Sequence, residues 1–214
     1  MKEHAFYRNT GKRIIDIIGA FFAVIICSPL YLIITVLEMI FHGYPPTYNT
    51  KRTGKNCKPF LLLKFRSMTN ETDELGQLLP NEKRLTRFGR ILRRTSLDET
   101  PEFINILRGD MSFIGPRPMP LEYIPLYSEH QMKKHKVKPG LACPRLHGGD
   151  AYPTWEEQFD NEVWYADNVS LAVDIKMAFA LVKAVFSRKR AKVRGNASRG
   201  KFTGSTGSEE RADK

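Results

Sequence analysis

The sequence predicts an α+β protein: a small, mainly helical cytosolic domain with short strands, anchored by an N-terminal re-entrant helix-break-helix membrane hairpin and by interfacial amphipathic helices. Three observations predict it. Ile14–Phe41 is an apolar run long enough, as helix, to cover a hydrocarbon core of about 30 Å. That run is interrupted by Ser28-Pro29 and has basic residues beyond both ends. The rest of the chain mixes short apolar runs with segments of helical spacing, without an internal repeat or sizeable linker. The 214 residues therefore divide into a basic N-terminus with the membrane helix (1–43), one domain (44–186), and a basic tail expected to be disordered (187–214).

The apolar run is too long for a signal-peptide core and lacks a small-residue cleavage site. Pro29 removes a backbone hydrogen bond and crowds the preceding turn, so a kink is expected there, with the Ser28 hydroxyl free to bond a released carbonyl. Lys12 and Arg13 lie at one end of the run, and Lys51, Arg52 and Lys55 beyond the other. The positive-inside rule asks for both flanks in the cytoplasm, which a single crossing does not supply. A hairpin dipping into one leaflet does, and it leaves Asp16 and Glu38 near headgroup depth. A kinked transmembrane helix is the alternative.

After Gly43-Tyr44-Pro45-Pro46, Phe60–Phe65 reads as a short strand and Asn70–Pro80 as a polar loop. Lys83–Leu92 has helical spacing at Leu85, Phe88 and Leu92 with basic residues between, suiting either the membrane surface or a core-facing helix. Ser96-Leu97-Asp98-Glu99 fits a capping box, and Thr100-Pro101 is a second possible helix start. Either register sets Asp98 at or just before a helix N-terminus that leads into Phe103, Ile104 and Leu107. Gly109–Pro118 reads as a tight, preordered loop, Leu121–Tyr127 as a linker, and Gln131–Lys138 as a basic helix end whose lysines form a solvated face. Trp155, Phe159, Val163, Trp164 and Tyr165 suggest an amphipathic helix. Asp174–Phe186 suggests another, with Ile175, Phe179, Val182 and Phe186 on a face that packs in the core or docks shallowly in a membrane.

The formal charge is +11. Lys2, Arg8, Lys12 and Arg13 oppose only Glu3 at the start, and Lys183, Arg188, Lys189, Arg190, Lys192, Arg194, Arg199 and Lys201 form an acid-free basic cluster in the tail. No nucleic-acid motif accompanies these runs and a strongly apolar segment does, so an anionic phospholipid membrane is the expected partner and nucleic acid is not. An exposed face on an interfacial helix is compatible with a homodimer. Cys27, Cys57 and Cys143 have neither disulfide-framework nor metal spacing and read as small buried hydrophobes.

Chemistry concentrates in Arg93–Pro118, RRTSLDETPEFINILRGDMSFIGPRP. Adjacent carboxylates (Asp98, Glu99) suit a divalent metal, arginines suit phosphate, and a Gly-Pro-Arg-Pro turn fixes where they point. A nucleotide diphosphate needs that combination, because its charge must be neutralised before an anionic nucleophile approaches. Surface salt bridges around a structural turn would use the same residues, and Glu99 alone also fits pure capping.

Together with the start near Lys12, LLLKFRSM (Leu61–Met68), Ser96–Pro118 and VKPG (Val137–Gly140), this segment resembles the signature of the bacterial sugar transferase family, the monotopic polyprenyl-phosphate phosphoglycosyl transferases, in its small single-domain form. The resemblance covers most of residues 12–140 and continues more weakly toward Val185. It implies that residues 44–186 are a catalytic domain at the cytoplasmic face of the bacterial inner membrane. The implied reaction moves a sugar 1-phosphate from a nucleotide diphospho-sugar, expected to be a UDP-sugar, to undecaprenyl phosphate, releasing UMP. In that family the Asp of the Asp-Glu dyad is the nucleophile, here Asp98, and it forms a covalent phosphosugar intermediate. Mg2+ is the implied cofactor, held by Asp98 and Glu99, unless Glu99 instead orients the nucleophile. Lys64, Arg93 and Arg117 are the implied phosphate-binding residues, and Ser28-Pro29 the membrane break. The chain departs from the family pattern at Leu141–Ala151, LACPRLHGGDA, where Arg145 and His147 become candidate pocket residues, and at Thr50, where a glutamine is usual. A hexose-specific transferase of capsule or O-antigen initiation, a catalytically silent membrane adaptor and a peripheral nucleic-acid binder are the competing readings.

Overall fold

The computed structural model describes residues 6–144, 154–185 and 200–204. A π-helical turn at Tyr7–Gly11 leads into helix α1, Lys12–Phe41. The break expected at Ser28-Pro29 does not interrupt this helix. Pro29 leaves the Ile25 carbonyl without its usual amide, and the Ser28 hydroxyl donates to that carbonyl at 2.8 Å. A helix can pass through a proline when the released carbonyl finds another donor.

Helix α1 is long and apolar enough to cross a membrane, and only 11% of its most apolar stretch is buried. Both of its halves nevertheless rest on the domain. Ala20 packs on Leu62, Ile106 and Met111, and Ile34 packs on Phe65 and Leu92. Asp16 accepts hydrogen bonds from Ser112 Oγ (3.0 Å) and the Phe113 N–H (3.1 Å), while Glu38 is bound by His42 (2.7 Å). The cations at the N-terminal end of α1 are also committed. Lys12 pairs with Asp174 at 2.6 Å, and Arg13 donates to the Ile106 and Leu107 carbonyls. These charges, which the positive-inside rule sets at the cytoplasmic flank, also fix the helix to the domain.

Strands β1 (Thr47–Thr53) and β2 (Pro59–Phe65) form an antiparallel hairpin with Tyr48 opposite Lys64, Thr50 opposite Leu62 and Arg52 opposite Phe60. Opposed residues share a face and alternate residues return to it. Lys64 and Arg52 therefore stand at the two ends of one face.

The helix expected at Lys83–Leu92 is two. Helix α2 (Asn81–Arg84) ends where Leu85 turns extended and bridges to Met68; α3 (Arg87–Thr95) begins at Thr86, whose hydroxyl accepts the Gly89 N–H at 2.9 Å. The capping box at Ser96 does not form, because Ser96 is left-handed (φ 60°) and ends α3 instead. A 3-10 turn, Leu97–Glu99, then enters α4, Glu102–Arg108. Strand β3 (Ser112–Ile114) pairs in parallel with β4 (Gly140–Ala142). Between them lie a 3-10 turn at Leu121–Leu126, helix α5 (Glu129–Met132) and a further 3-10 turn at Lys133–Lys136.

The lysines of that last turn are not a uniform solvated face. Lys134 is 0% exposed, 3.0 Å from Glu162 and sandwiched by the Tyr127 and Phe159 rings. Helix α6 (Trp155–Asp167) supplies Glu162 and Phe159, and α7 (Leu171–Val185) turns Asp174 and Met177 inward. The α7 residues Ile175, Phe179 and Val182 point outward, Phe179 at 72% exposed, so these three do not pack in the core; Phe186, expected on the same face, lies outside the described residues. The described part of the tail also differs from the expectation of disorder: Phe202 is 4% exposed against Tyr123, Tyr127, Trp155 and Phe159. All three cysteines are free.

Phe202→Ala should lower stability by roughly 3 kcal/mol, the cost of truncating a buried aromatic. Trp155, whose indole donates to the Gly200 carbonyl at 3.3 Å, should report the change as a red-shifted fluorescence. An unchanged melting temperature and spectrum would show that this segment does not hold.

Candidate active site

The site is assembled where the short connection between α3 and α4 meets the hairpin. Asp98 and Glu99 occupy the 3-10 turn that joins α3 to α4. Opposite them stands Lys64 of β2, 2.9 Å from Glu99 and 3.1 Å from Glu102. The register between β2 and α4 is set by the buried Asn105 amide. It accepts the Leu63 N–H (2.9 Å) and donates to the Leu61 carbonyl (2.7 Å), supplying in one side chain the two bonds a neighbouring strand would make.

The motif around Lys64 serves three directions at once. Arg66 donates to the Pro45 carbonyl at 3.1 Å, just beyond the exit of α1. Ser67 accepts from Arg93 Nε at 2.8 Å and so orients the guanidinium of α3. Gly89 lets α3 approach closely, since a Cβ there would lie 1.9 Å from the Ser67 carbonyl oxygen. Burial and the Glu99 charge push the Asp98 carboxyl above the usual range, and the Lys64 and Arg93 cations oppose that rise.

Arg117 is carried by a loop pinned from behind. The Gly140 N–H donates to Pro116 O (2.8 Å), the Gly115 N–H to Ala142 O (3.0 Å), and the Arg117 N–H to Glu162 (3.1 Å). A Cβ on Gly140 would fall 2.1 Å from Gly115 N, so this contact admits no side chain. The backbone is thus fixed while the guanidinium, 56% exposed and 3.8 Å from Glu99, reaches into a cleft of about 230 Å³. Lys64, Glu99 and Glu102 line that cleft with Arg117; Arg52, Tyr123 and Leu141 line it too.

The structure therefore brings Lys64, Glu99 and Arg117 to one cleft from three separate segments, while Asp98 adjoins Glu99 in the turn and Arg93 is held by Ser67; neither of these two lines the cleft. Arg145 and His147 lie outside the described residues, although Leu141, the first residue of the divergent segment, forms part of the wall. Sequence reasoning missed Glu102, Arg52 and Glu162. Glu102 looked like an ordinary first-turn acid; its spacing of one helical turn from Glu99 was the available signal. Glu162 carried no signal, since nothing local marks it as a partner of Lys134 and the Arg117 loop.

The donor set bears on metal binding. Among the described residues no group of three or more His, Cys, Asp or Glu side chains is placed to hold an ion. Mg2+ is ordinarily held by one or two carboxylates together with substrate phosphates and water. Adjacent oxygen donors on Asp98 and Glu99 fit that mode, with the substrate completing the shell.

Comparison with known proteins shows the family of the chain. The bacterial sugar transferase family model matches residues 7–188, and the chain belongs to that family. It is 39% identical over 195 residues to a protein of Bacillus subtilis named "Uncharacterized sugar transferase EpsL", covering 91% of this chain and 96% of that one. It is 34% identical to the UDP-glucose:undecaprenyl-phosphate glucose-1-phosphate transferase of Klebsiella pneumoniae, covering 84% of this chain and 41% of the relative. It is 32% identical to the UDP-N-acetylgalactosamine-undecaprenyl-phosphate N-acetylgalactosaminephosphotransferase of Aeromonas hydrophila, covering 82% and 44%. The chain thus spans nearly all of the Bacillus protein and less than half of the other two.

Burial pushes Glu102 up to about 7, with Lys64 opposing and Glu99 adding to the rise. Below that pH its carboxyl is neutral and Lys64 offers more of its charge to a phosphate; above it, both carboxylates compete. Affinity for a nucleoside diphosphate should therefore fall a few-fold as pH rises through about 7, and the dependence should flatten in Glu102→Gln. Because the folded pKa is raised, the same ionisation should cost stability from about pH 4.3 upward, with the full cost reached above about 7. Nucleotide titrations and melting curves across this range check both signs.

Proposed function

We propose that this protein transfers a sugar 1-phosphate from a UDP-sugar to undecaprenyl phosphate at the cytoplasmic face of the bacterial inner membrane. The observation that carries the proposal is the set Lys64, Glu99 and Arg117, paired at 2.9 and 3.8 Å and lining one cleft, with Asp98 next to Glu99 in the same turn. A carboxylate nucleophile needs its target phosphate drawn in by cations, and here one of them, Lys64, also favours the nucleophile's charged form.

In the first half-reaction an Asp98 oxygen attacks the sugar-linked phosphorus. A P–O bond to Asp98 forms, the bond to the bridging oxygen breaks, and UMP leaves with that oxygen. In the second, an oxygen of the polyprenyl phosphate attacks the same phosphorus and restores the Asp98 carboxylate, giving polyprenyl diphospho-sugar. Splitting the transfer lets two anions use one site in turn. Lys64 and Arg93 steady the transferred phosphate, and Arg117 the phosphate on the nucleotide or lipid side. Asp98 and Glu99 would hold Mg2+, which when bound neutralises diphosphate charge.

Lodging of α1 in a single leaflet, as one helix that runs through Pro29, is supported by the contacts that both its halves make with one domain. The exposed apolar middle of α1 and the outward face of α7 then lie in lipid, with the cleft at the depth of a polyprenyl phosphate headgroup. The hexose and acetamido-sugar relatives define the sugars to try first.

UMP release should be measured from a panel of UDP-sugars, with undecaprenyl phosphate and magnesium. Asp98→Asn should lower the rate at least about a thousandfold, and a chelator should abolish it. A phosphosugar adduct on Asp98, trapped by omitting the lipid and read by mass spectrometry, would establish the intermediate. Full activity in Asp98→Asn would overturn the mechanism. No release from any UDP-sugar by folded, membrane-bound protein would favour the adaptor.

A further inference from the structure

The geometry points to Arg52 as a second ligand, with Arg117, for the phosphate of the departing nucleotide. This rests on the transfer reaction proposed above and assigns one end of its cleft. Arg52 lies on the same hairpin face as Lys64 but four residues along the strand, about 13 Å at the usual rise. The two cations therefore address different parts of an extended substrate. Lys64 is occupied by Glu99 and Glu102 at the reacting end. Arg52 is not so engaged: its Nε is buried without a hydrogen-bond partner.

Chain connectivity holds Arg52 next to the Arg117 loop. The N–H of Thr53, the following residue, donates to the Met119 carbonyl at 2.9 Å, two residues beyond Arg117, and both arginines line one cleft. Burial depresses the Arg52 pKa, and the Arg117 charge depresses it further, so the two guanidinium groups repel across a shared space. Tyr48, Glu122 and Tyr123 act in the opposite sense; Glu122 is exposed and does not line the cleft. Two converging guanidinium groups, one with a buried unpaired donor, form a site for a doubly charged phosphate, which accepts planar forks better than point charges.

The cleft then has a direction. The sugar-linked phosphorus sits at the Asp98–Lys64 end, and the nucleotide phosphate lies between Arg117 and Arg52. When the bond to the bridging oxygen breaks, the new charge appears on the phosphate that these two arginines hold. Arg52 thereby assists departure as well as binding.

The test is direct UMP binding to full-length protein in the absence of turnover, by calorimetry or product inhibition, for wild type, Arg52→Gln and Arg52→Lys. Arg52→Gln should weaken UMP at least about tenfold and raise KM for the UDP-sugar in parallel. Arg52→Lys, which keeps the charge and loses the fork, should fall between. KM for undecaprenyl phosphate should stay within about twofold. If Arg52→Gln does not fold, as judged by its melting curve, Arg52→Lys carries the test alone, with a loss of UMP affinity expected. Unchanged UMP affinity in a folded variant overturns the assignment, as does a rise confined to KM for the lipid phosphate, which would give Arg52 to the acceptor instead. Absence of UMP binding to wild type would instead remove the transfer reaction on which the assignment stands.

Discussion

The arrangement depends on one buried amide. A two-stranded hairpin alone is marginal in water, and β2 must nevertheless hold Lys64 in place beside two carboxylates. Asn105 solves this from the adjoining helix by bonding the backbone on either side of Leu62, so that α4 acts as the missing third strand. Glu102 belongs to the same short helix as Asn105, Glu99 ends the turn that leads into it, and Lys64 follows Leu63 directly. Whatever moves one partner moves the other, and the pairs between them are kept without a large sheet.

Charge in the site is organised so that no group is neutralised by a single partner. Lys64 is shared by Glu99 and Glu102, Glu99 is approached by Lys64 and Arg117, and Asp98 is pulled by Lys64 and Arg93. Buried carboxylates held this way carry a desolvation penalty that their cations only partly offset, and the raised pKa values of Asp98 and Glu102 are its expression. Behind this layer lies a second one in which the balance is closed. Glu162 takes the Lys134 ammonium, the Gln158 amide and the Arg117 N–H, so the phosphate-facing loop is fastened to a fully buried ion pair.

What the sequence made legible follows from how local each signal is. Asp98-Glu99, Gly-Pro-Arg-Pro and KFRSM are compact motifs, and the side chains inferred from them do converge. The Ser28 hydroxyl bond to a released carbonyl was legible for the same reason, since it spans one turn. Interruption of α1 at Pro29 was the wrong inference from a correct mechanism, because that bond lets the helix continue. Lys134 was read among other lysines as solvated; only Glu162, twenty-eight residues later, explains its burial. Ser96 looked like a cap because of the acid three residues on, yet its left-handed backbone ends one helix instead of opening the next. Phe202 sits in a basic, Gly/Ser-rich stretch whose composition suggests disorder, and four distant aromatic rings override that composition.

The Phe202 contact has a bearing on synthesis. Helix α1 leaves the ribosome before the charged residues of the cleft, and all of these leave well before Phe202. The charged floor of the site can thus assemble while the Tyr123 side, to which Phe202 donates its N–H at 3.1 Å, still lacks its backing. A growing chain that has passed Arg117 but not yet Phe202 would hold the charged groups in place before the aromatic wall is finished. Maturation of the cleft is thereby timed to the synthesis of Phe202 rather than to that of the charged residues themselves.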